Sequence, residues 1–235
     1  MSGRDVVFAS IRRSLGVSGG EATRRKEAAD RVAGHPAGIV PARGQGDPGA
    51  QLALFIRMAR AASASVETVN SPEDIPARIA EFLRAHNLPM AVRRGDDAFL
   101  AGLAWESAGT LEVTTGPSDG HQLASVSHAV AGVAETGTLI LVSGRDNPTT
   151  LNFLPDNHIV VLDRADVTGD YESVWRRLRD RFGAGVLPRV VNMITGPSRS
   201  ADIEQTLLLG AHGPRRLHIV ILDRPVPSEA PNGSS

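Results

Sequence analysis

The sequence predicts an α/β protein, a largely parallel sheet flanked by helices, with an N-terminal helical arm. Three observations carry this. Strand-like and helix-like stretches alternate from about residue 51 to residue 222, the rhythm of a parallel sheet. The runs "HIVVL" and "LHIVIL" are apolar without alternation, as expected of strands covered on both faces. The 235 residues are 41% hydrophobic and 22% charged, ordinary for a globular protein and enough for one sizeable domain.

In chain order, Asp5 is placed to cap a short amphipathic helix with Val7, Ile11 and Leu15 spaced by four, ending near Gly16. Residues 17–50 are rich in Gly, Ala, Pro and charge without a sustained period, and "HPAGIVPARGQGDPG" reads as an extended linker. The expected organisation is an arm at 1–16 (an oligomer contact or a strap), a linker at 17–50, the main domain at 51–223 and a disordered tail at 224–235. Within the main domain "QLALFIRMARAA" has helical spacing, "SVETV" is a strand, and Ser71 opens a helix through Ile75, Ile79, Phe82 and Leu83. "PMAVRR" and "TLEVTTG" are further strands. "VSHAVAGVAETGTLILVSG" divides into strands at 129–135 and 138–142 around Thr136 and Gly137. "HIVVLD", "RVVNMIT" and "LHIVIL" are strands; "YESVWRRLRDRF" and "ADIEQTLLL" are helices.

Composition excludes several classes. A net charge of -1 gives no electrostatic reason for a nucleic-acid or anionic-membrane partner. At 4%, aromatic residues are too few for a base-stacking platform. With no Cys, this sequence can form no disulfide, thiolate zinc site, Cys-ligated iron–sulfur cluster or Cys nucleophile. No apolar run approaches the ~20 residues of a membrane span, the N-terminus lacks a signal-peptide core, and a cytoplasmic location is expected. No GxGxxG, P-loop or GxSxG occurs. His121 and His128 lie seven apart near Asp119 but lack a metal-binding pattern, so no metal site is predicted.

Two stretches could carry chemistry. "TGPSRS" follows a strand at its carboxyl end, where open parallel sheets bind ligands. Backbone N–H groups of Gly196, Ser198, Arg199 and Ser200, with two hydroxyls and a guanidinium, would form an anion cradle. Asp202 and Glu204, in the first turn of the following helix, would compete for its positive end. "AETGT" puts Glu135 at the end of an apolar strand, where partial desolvation suits a carboxylate to nucleophile or general-base work, or where it merely bonds neighbouring N–H groups. His212, in "GAHGP", is either a loop-bonded imidazole or a ligand-facing proton carrier. His158 begins a core strand.

Taken together, "ETGTLILVSG", "LPDNHIVVLD" and "ITGPSRSADIE…GAHGPRRLHIVIL" resemble the lactate-utilization protein C (LutC/YkgG) family, whose domain is called the LUD domain; the match in order and spacing runs over 131–222. The N-terminal "ASIRRSLG" is similar to that family's opening. The resemblance implies a NagB/RpiA/CoA transferase-like fold and a part in bacterial oxidation of L-lactate to pyruvate beside two iron–sulfur proteins. No cofactor is expected in this chain; the clusters would sit on the partner proteins. It also implies glycine-rich loops at strand ends that hold phosphates or CoA, and a strand-end Glu like the CoA-transferase nucleophile; the ligand expected of this chain is a small carboxylate or a phosphate-bearing molecule. Glu135, Thr136, Gly137 and Thr138 would then converge with Gly196, Ser198, Arg199 and His212 on one crevice, at the carboxyl rim of a single sheet. Glu135 or His212 would accept the proton and Arg199 would pair the anion. The alternatives are a non-catalytic scaffold subunit, or a stand-alone isomerase or transferase acting on a phosphosugar or CoA ester; a homo-oligomer stays open.

Overall fold

The computed structural model describes residues 2–201, 207–210 and 212–224, and the chain divides into two compact units, Met1–Ile39 and Val40–Ser235. The first unit holds α1 (Gly3–Leu15) and α2 (Ala22–Gly34). The cap of α1 is Ser2 rather than Asp5. Asp5 is the third helical residue, and its carboxylate accepts the Ser2 N–H at 2.8 Å while its own N–H bonds Ser2 Oγ at 3.3 Å. This reciprocal pair satisfies two donors of the first turn. Helix α2 falls inside the stretch expected to be linker. "ATRRKEAADRVAG" owes its helicity to Ala, Arg, Lys and Glu and an exposed Lys26–Asp30 pair at 2.7 Å, so it carries little apolar period to read. Neither helix buries a residue. Deleting residues 2–16 is therefore expected to move the thermal midpoint of the remaining chain by less than about 2 °C, because less than roughly 1 kcal/mol of packing is lost; differential scanning calorimetry checks this.

The second unit begins with α3 (Pro48–Ala61), β1 (Ser65–Val69), α4 (Ile75–Ala85), β2 (Ala91–Arg94), α5 (Ala98–Ala101), β3 (Glu112–Thr115) and β4 (Ala124–His128). It continues with β5 (Ala131–Val133), β6 (Thr138–Val142), α6 (Thr149–Phe153), β7 (Asn157–Asp163), β8 (Val167–Thr168) and α7 (Tyr171–Phe182). Then come β9 (Val191–Ile194), β10 (Arg199–Ala201), β11 (Leu207–Leu209) and β12 (Arg216–Leu222).

Six strands form one wholly parallel sheet in the order β1-β12-β7-β4-β2-β3. The continuous apolar runs now have their cause. Along β7, Ile159 and Val161 point to one core while Val160 and Leu162 point to the other; along β12, Val220 and Leu222 oppose Leu217, Ile219 and Ile221. Helix α4 covers the first face with Ile75, Ile79, Phe82 and Leu83, the residues its sequence period selects. The second face is covered by Leu52, Leu54, Phe55 and Ala59 of α3 and by Leu139 and Leu141 of β6.

Strand β6 belongs to a second sheet, ordered β8-β5-β6-β9, rather than to the single sheet the sequence suggests. The reason is the turn at Thr136 and Gly137. Gly137 adopts φ 68° and donates its N–H to Val133 O at 2.9 Å, folding β6 back antiparallel on β5. The outer face of this sheet packs Val133, Ile140 and Val142 under Val174 and Leu178 of α7. The expected helix over "ADIEQTLLL" is a second difference. Arg199–Ala201 pairs antiparallel with Leu207–Leu209, and the ladder continues with Gly210 N–H to Ser198 O at 3.0 Å. Asp202 and Glu204 lie outside the described residues.

Candidate functional site

The loop after β9 closes a cleft of about 320 Å³ against α6 and the segment leading into β12. Gly196 makes this possible. It sits at φ 72°, and a Cβ there would fall 2.1 Å from Ala62 O at the end of α3, so only glycine lets the loop approach. Ser198 donates its N–H to Pro214 O at 2.9 Å, tying the two walls together. Arg199 is exposed and gives a guanidinium hydrogen bond to Ser63 Oγ at 2.7 Å, its one side-chain bond among the described residues.

The floor is polar and buried. Strand β4 carries Ser125 and Ser127 at alternate positions, both on the α6 side: Ser125 Oγ donates to Leu151 O at 2.6 Å, and Ser127 Oγ donates to Asn152 Oδ1 at 3.1 Å. His158 Nε2 lies 3.0 Å from the same Ser127 oxygen. Because the hydroxyl hydrogen is already given to Asn152, the imidazole must donate from Nε2, which leaves Nδ1 a bare lone pair. Burial pushes the His158 pKa down to about 3, so the ring stays neutral at physiological pH. Asn152 and His158 are 1% and 0% exposed, yet Asn152 Nδ2 and His158 Nδ1 have no hydrogen-bond partner. Buried polar atoms are nearly always paired. Here one unpaired donor and one unpaired acceptor belong to two residues that line the cleft.

Of the residues singled out in the sequence, Gly196, Ser198, Arg199 and His212 line this cleft. Ser200 lies in β10; its side chain lies outside the described ones. Glu135, Thr136, Gly137 and Thr138 do not line it. Thr136 and Thr138 join Tyr171 in a hydroxyl cluster, with oxygens 2.7 Å, 3.0 Å and 2.9 Å apart, and Thr138 reaches the cleft wall only through Thr195 at 2.6 Å. Glu135 is 4% exposed, its N–H bonds Gly169 O at 3.2 Å, and Gly44 covers it closely enough that a Cβ there would meet its Cβ at 3.4 Å. It does not reach a ligand in the cleft.

Two further expectations are corrected. The cleft contains His158 and Leu217, each the second residue of its strand, so it lies at the amino edge of the parallel sheet and not the carboxyl edge. "TGPSRS" does end a strand, but that strand is in the second sheet and runs antiparallel to β6. Of the N–H groups expected to form a cradle, that of Ser198 is spent on Pro214, and Arg199 and Ser200 lie in the strand paired with 207–209. Asn152 and the relay through Ser127 were missed. The signal for Ser127 is the pair of buried serines at alternate positions in "ASVSH".

Among the described residues no helix is long and apolar enough to cross a membrane. Comparison with known proteins adds the lineage. The chain is 37% identical over 93 residues to Lactate utilization protein C of Anoxybacillus flavithermus, covering 39% of this chain and 40% of that protein. It is 38% identical over 94 residues to Lactate utilization protein C of Halalkalibacterium halodurans, covering 39% and 41%. The matched stretch thus spans about two fifths of these relatives' own length. The crystal structure of a DUF162 family protein from Deinococcus radiodurans shares the fold, with a TM-score of 0.53 at 21% identity over 76% of this chain and 99% of that one. The LUD domain profile matches residues 52–222, from the third helix to the end of the last strand, and the chain belongs to the LUD-domain family.

Proposed function

We propose that the protein serves bacterial L-lactate utilization by binding a small 2-hydroxy or 2-keto carboxylate, L-lactate or pyruvate, in the cleft at the amino edge of the sheet. One observation carries the reading: the residues lining one cleft include an exposed guanidinium, a buried donor and a buried acceptor, the last two without a protein partner. A 2-hydroxy acid is the complement of that set. Its carboxylate accepts from Arg199 and Asn152 Nδ2, and its hydroxyl donates to His158 Nδ1. His158, held neutral, is a hydrogen-bond acceptor and a poor base, so it orients the hydroxyl rather than keeping its proton; His212 is the other imidazole of the cleft. Oxidation of lactate to pyruvate releases two electrons and two protons, from the hydroxyl and from C2; the protons would go to water, and the electrons would pass to partner proteins that carry iron–sulfur clusters, since this sequence has no Cys to ligate one. The relatives named Lactate utilization protein C support the pathway.

The test is genetic and direct. Arg199→Ala is expected to weaken L-lactate binding at least tenfold, an order-of-magnitude loss typical of a charge-assisted pair, and to slow growth on lactate without changing the melting temperature. Growth indistinguishable from wild type would overturn the ligand role. A scaffold role is the second reading, favoured by the apolar residues Val6, Val7, Phe8, Ile11 and Leu15 of α1, all exposed. In that case Arg199→Ala is silent and deletion of residues 2–16 abolishes growth on lactate.

A further inference from the structure

A second cleft, of about 310 Å³, opens at the opposite, carboxyl edge of the parallel sheet. Its place follows from topology. The chain runs from β2 outward to β3, then returns to the other side of β2 as β4. A reversal of strand order leaves a crevice between the carboxyl ends of the two strands involved, and such crevices are where open α/β sheets take their ligands. Asp97 follows β2 and His128 ends β4, and both line the cleft.

Asp97 caps α5 by accepting the Leu100 N–H at 2.8 Å, and its carboxylate stands 3.4 Å from His128 Nδ1. Burial raises the Asp97 carboxyl, but its bonds from His128 and Leu100 outweigh that and keep it below the usual carboxylate range. An ionised Asp97 fixes the Nδ1–H tautomer, so the other nitrogen of His128, Nε2, is an acceptor. Asn147, 6% exposed, spends Nδ2 on Val142 O at 3.3 Å, and its Oδ1 has no partner. Asp166 and Arg177 satisfy each other at 2.5 Å. That leaves Asp146 and Arg181, which no salt bridge joins to any other described residue. The wall thus offers three acceptors, spread over the end of β4 and the loop after β6: Asp146, whose Oδ1 already takes the Asn147 N–H at 3.1 Å and whose Oδ2 remains, Asn147 Oδ1, and His128 Nε2. It also offers one guanidinium without a counter-ion. Phe99 and Val130 supply apolar surface between them.

We propose that this cleft binds a small polyhydroxylated anion, with its hydroxyls donating to Asp146, Asn147 and His128 and its anionic group paired with Arg181. Several donors at separate carbons match acceptors on separate elements, which a single ammonium group does not. A terminal carboxylate or a terminal phosphate supplies the same pairing with the guanidinium. The site is independent of the amino-edge cleft and of the lactate reading.

Isothermal titration of the full chain with D-gluconate and D-glucose 6-phosphate, beside D-glucose and L-lactate, tests it. At least one of the two polyhydroxylated anions is expected to bind; which one binds identifies the anionic group. Arg181→Gln and Asp146→Asn are each expected to weaken that binding at least tenfold while Arg199→Ala leaves it unchanged. The proposal is overturned if neither polyhydroxylated anion binds, or if D-glucose binds as tightly, which removes Arg181. It is likewise overturned if L-lactate binding is the one lost in the Arg181 and Asp146 variants, or if Arg199→Ala abolishes binding of the polyhydroxylated anion. Failure here leaves the lactate reading standing, because that rests on Arg199, Asn152 and His158 in the amino-edge cleft, none of which lines this one.

Discussion

Gly137→Ala is expected to cost about 3 kcal/mol, the middle of the range given by adding a left-handed backbone penalty of roughly 1 kcal/mol to an overpacking penalty of about 1–3 kcal/mol. Gly137 sits at φ 68°, and an added Cβ would lie 2.3 Å from Ala59 N and 2.6 Å from Met58 C. Those atoms are the backbone of α3, which cannot swing aside as a side chain would. The turn both closes the hairpin of the second sheet and seats that hairpin on α3. Chemical denaturation should show a lower midpoint with an unchanged m-value, and the thermal midpoint should fall by roughly 6–12 °C. A midpoint within about 2 °C of wild type would mean that α3 does not press on this turn.

The second large effect is on the pH dependence of stability. His158 is buried in the folded state with its pKa near 3, while in the unfolded chain it returns to the ordinary value of 6.5. Between these limits the unfolded chain binds a proton that the folded chain refuses, so stability falls as pH drops below 6.5. The loss approaches about 1.4 kcal/mol per pH unit and amounts to roughly 1.5–2 kcal/mol between pH 6.5 and pH 5. His218, whose pKa is lowered by burial against the opposing pull of Glu67, adds in the same direction. His158→Gln keeps an N–H for Ser127 and removes the titration. Unfolding free energies measured from pH 5 to pH 7 should therefore slope less steeply in the variant by about that amount. Parallel slopes would show that His158 titrates normally, in contact with water.

The fold was legible where the signal is local burial. "HIVVLD" and "LHIVIL" announce two-sided strands because both faces of β7 and β12 are covered, and the four-residue spacing of Ile75 and Ile79 announces the face that α4 buries. It failed where the deciding contact is distant. Nothing in "AETGTLILV" says that its hairpin leaves the parallel sheet to sit on α3, and three consecutive leucines at 207–209 suit a helix as well as a strand. Helix α2 escaped because it buries nothing, and apolar period is a record of burial. The site was half legible for the same reason. "TGPSRS" and "GAHGP" carry turn chemistry that marks a loop at a strand end, so Gly196, Ser198, Arg199 and His212 could be grouped. Asn152, Ser127 and His158 come from three elements, and only the pairing of β4 with β7 under α6 brings them together. Glu135 shows the converse: a strand-end carboxylate looks poised for chemistry until the Gly44 loop is seen to cover it.

The central claim is that an organic acid occupies the amino-edge cleft, and nitrogen-15 NMR of the side chains reads it most directly. Titrating L-lactate should move the Asn152 side-chain amide and the His158 Nδ1 resonance together, along one saturation curve, and Arg199→Ala should shift that curve at least tenfold toward higher concentration. Saturating L-lactate that leaves both resonances in place contradicts the claim, as does lactate that moves His128 in their stead.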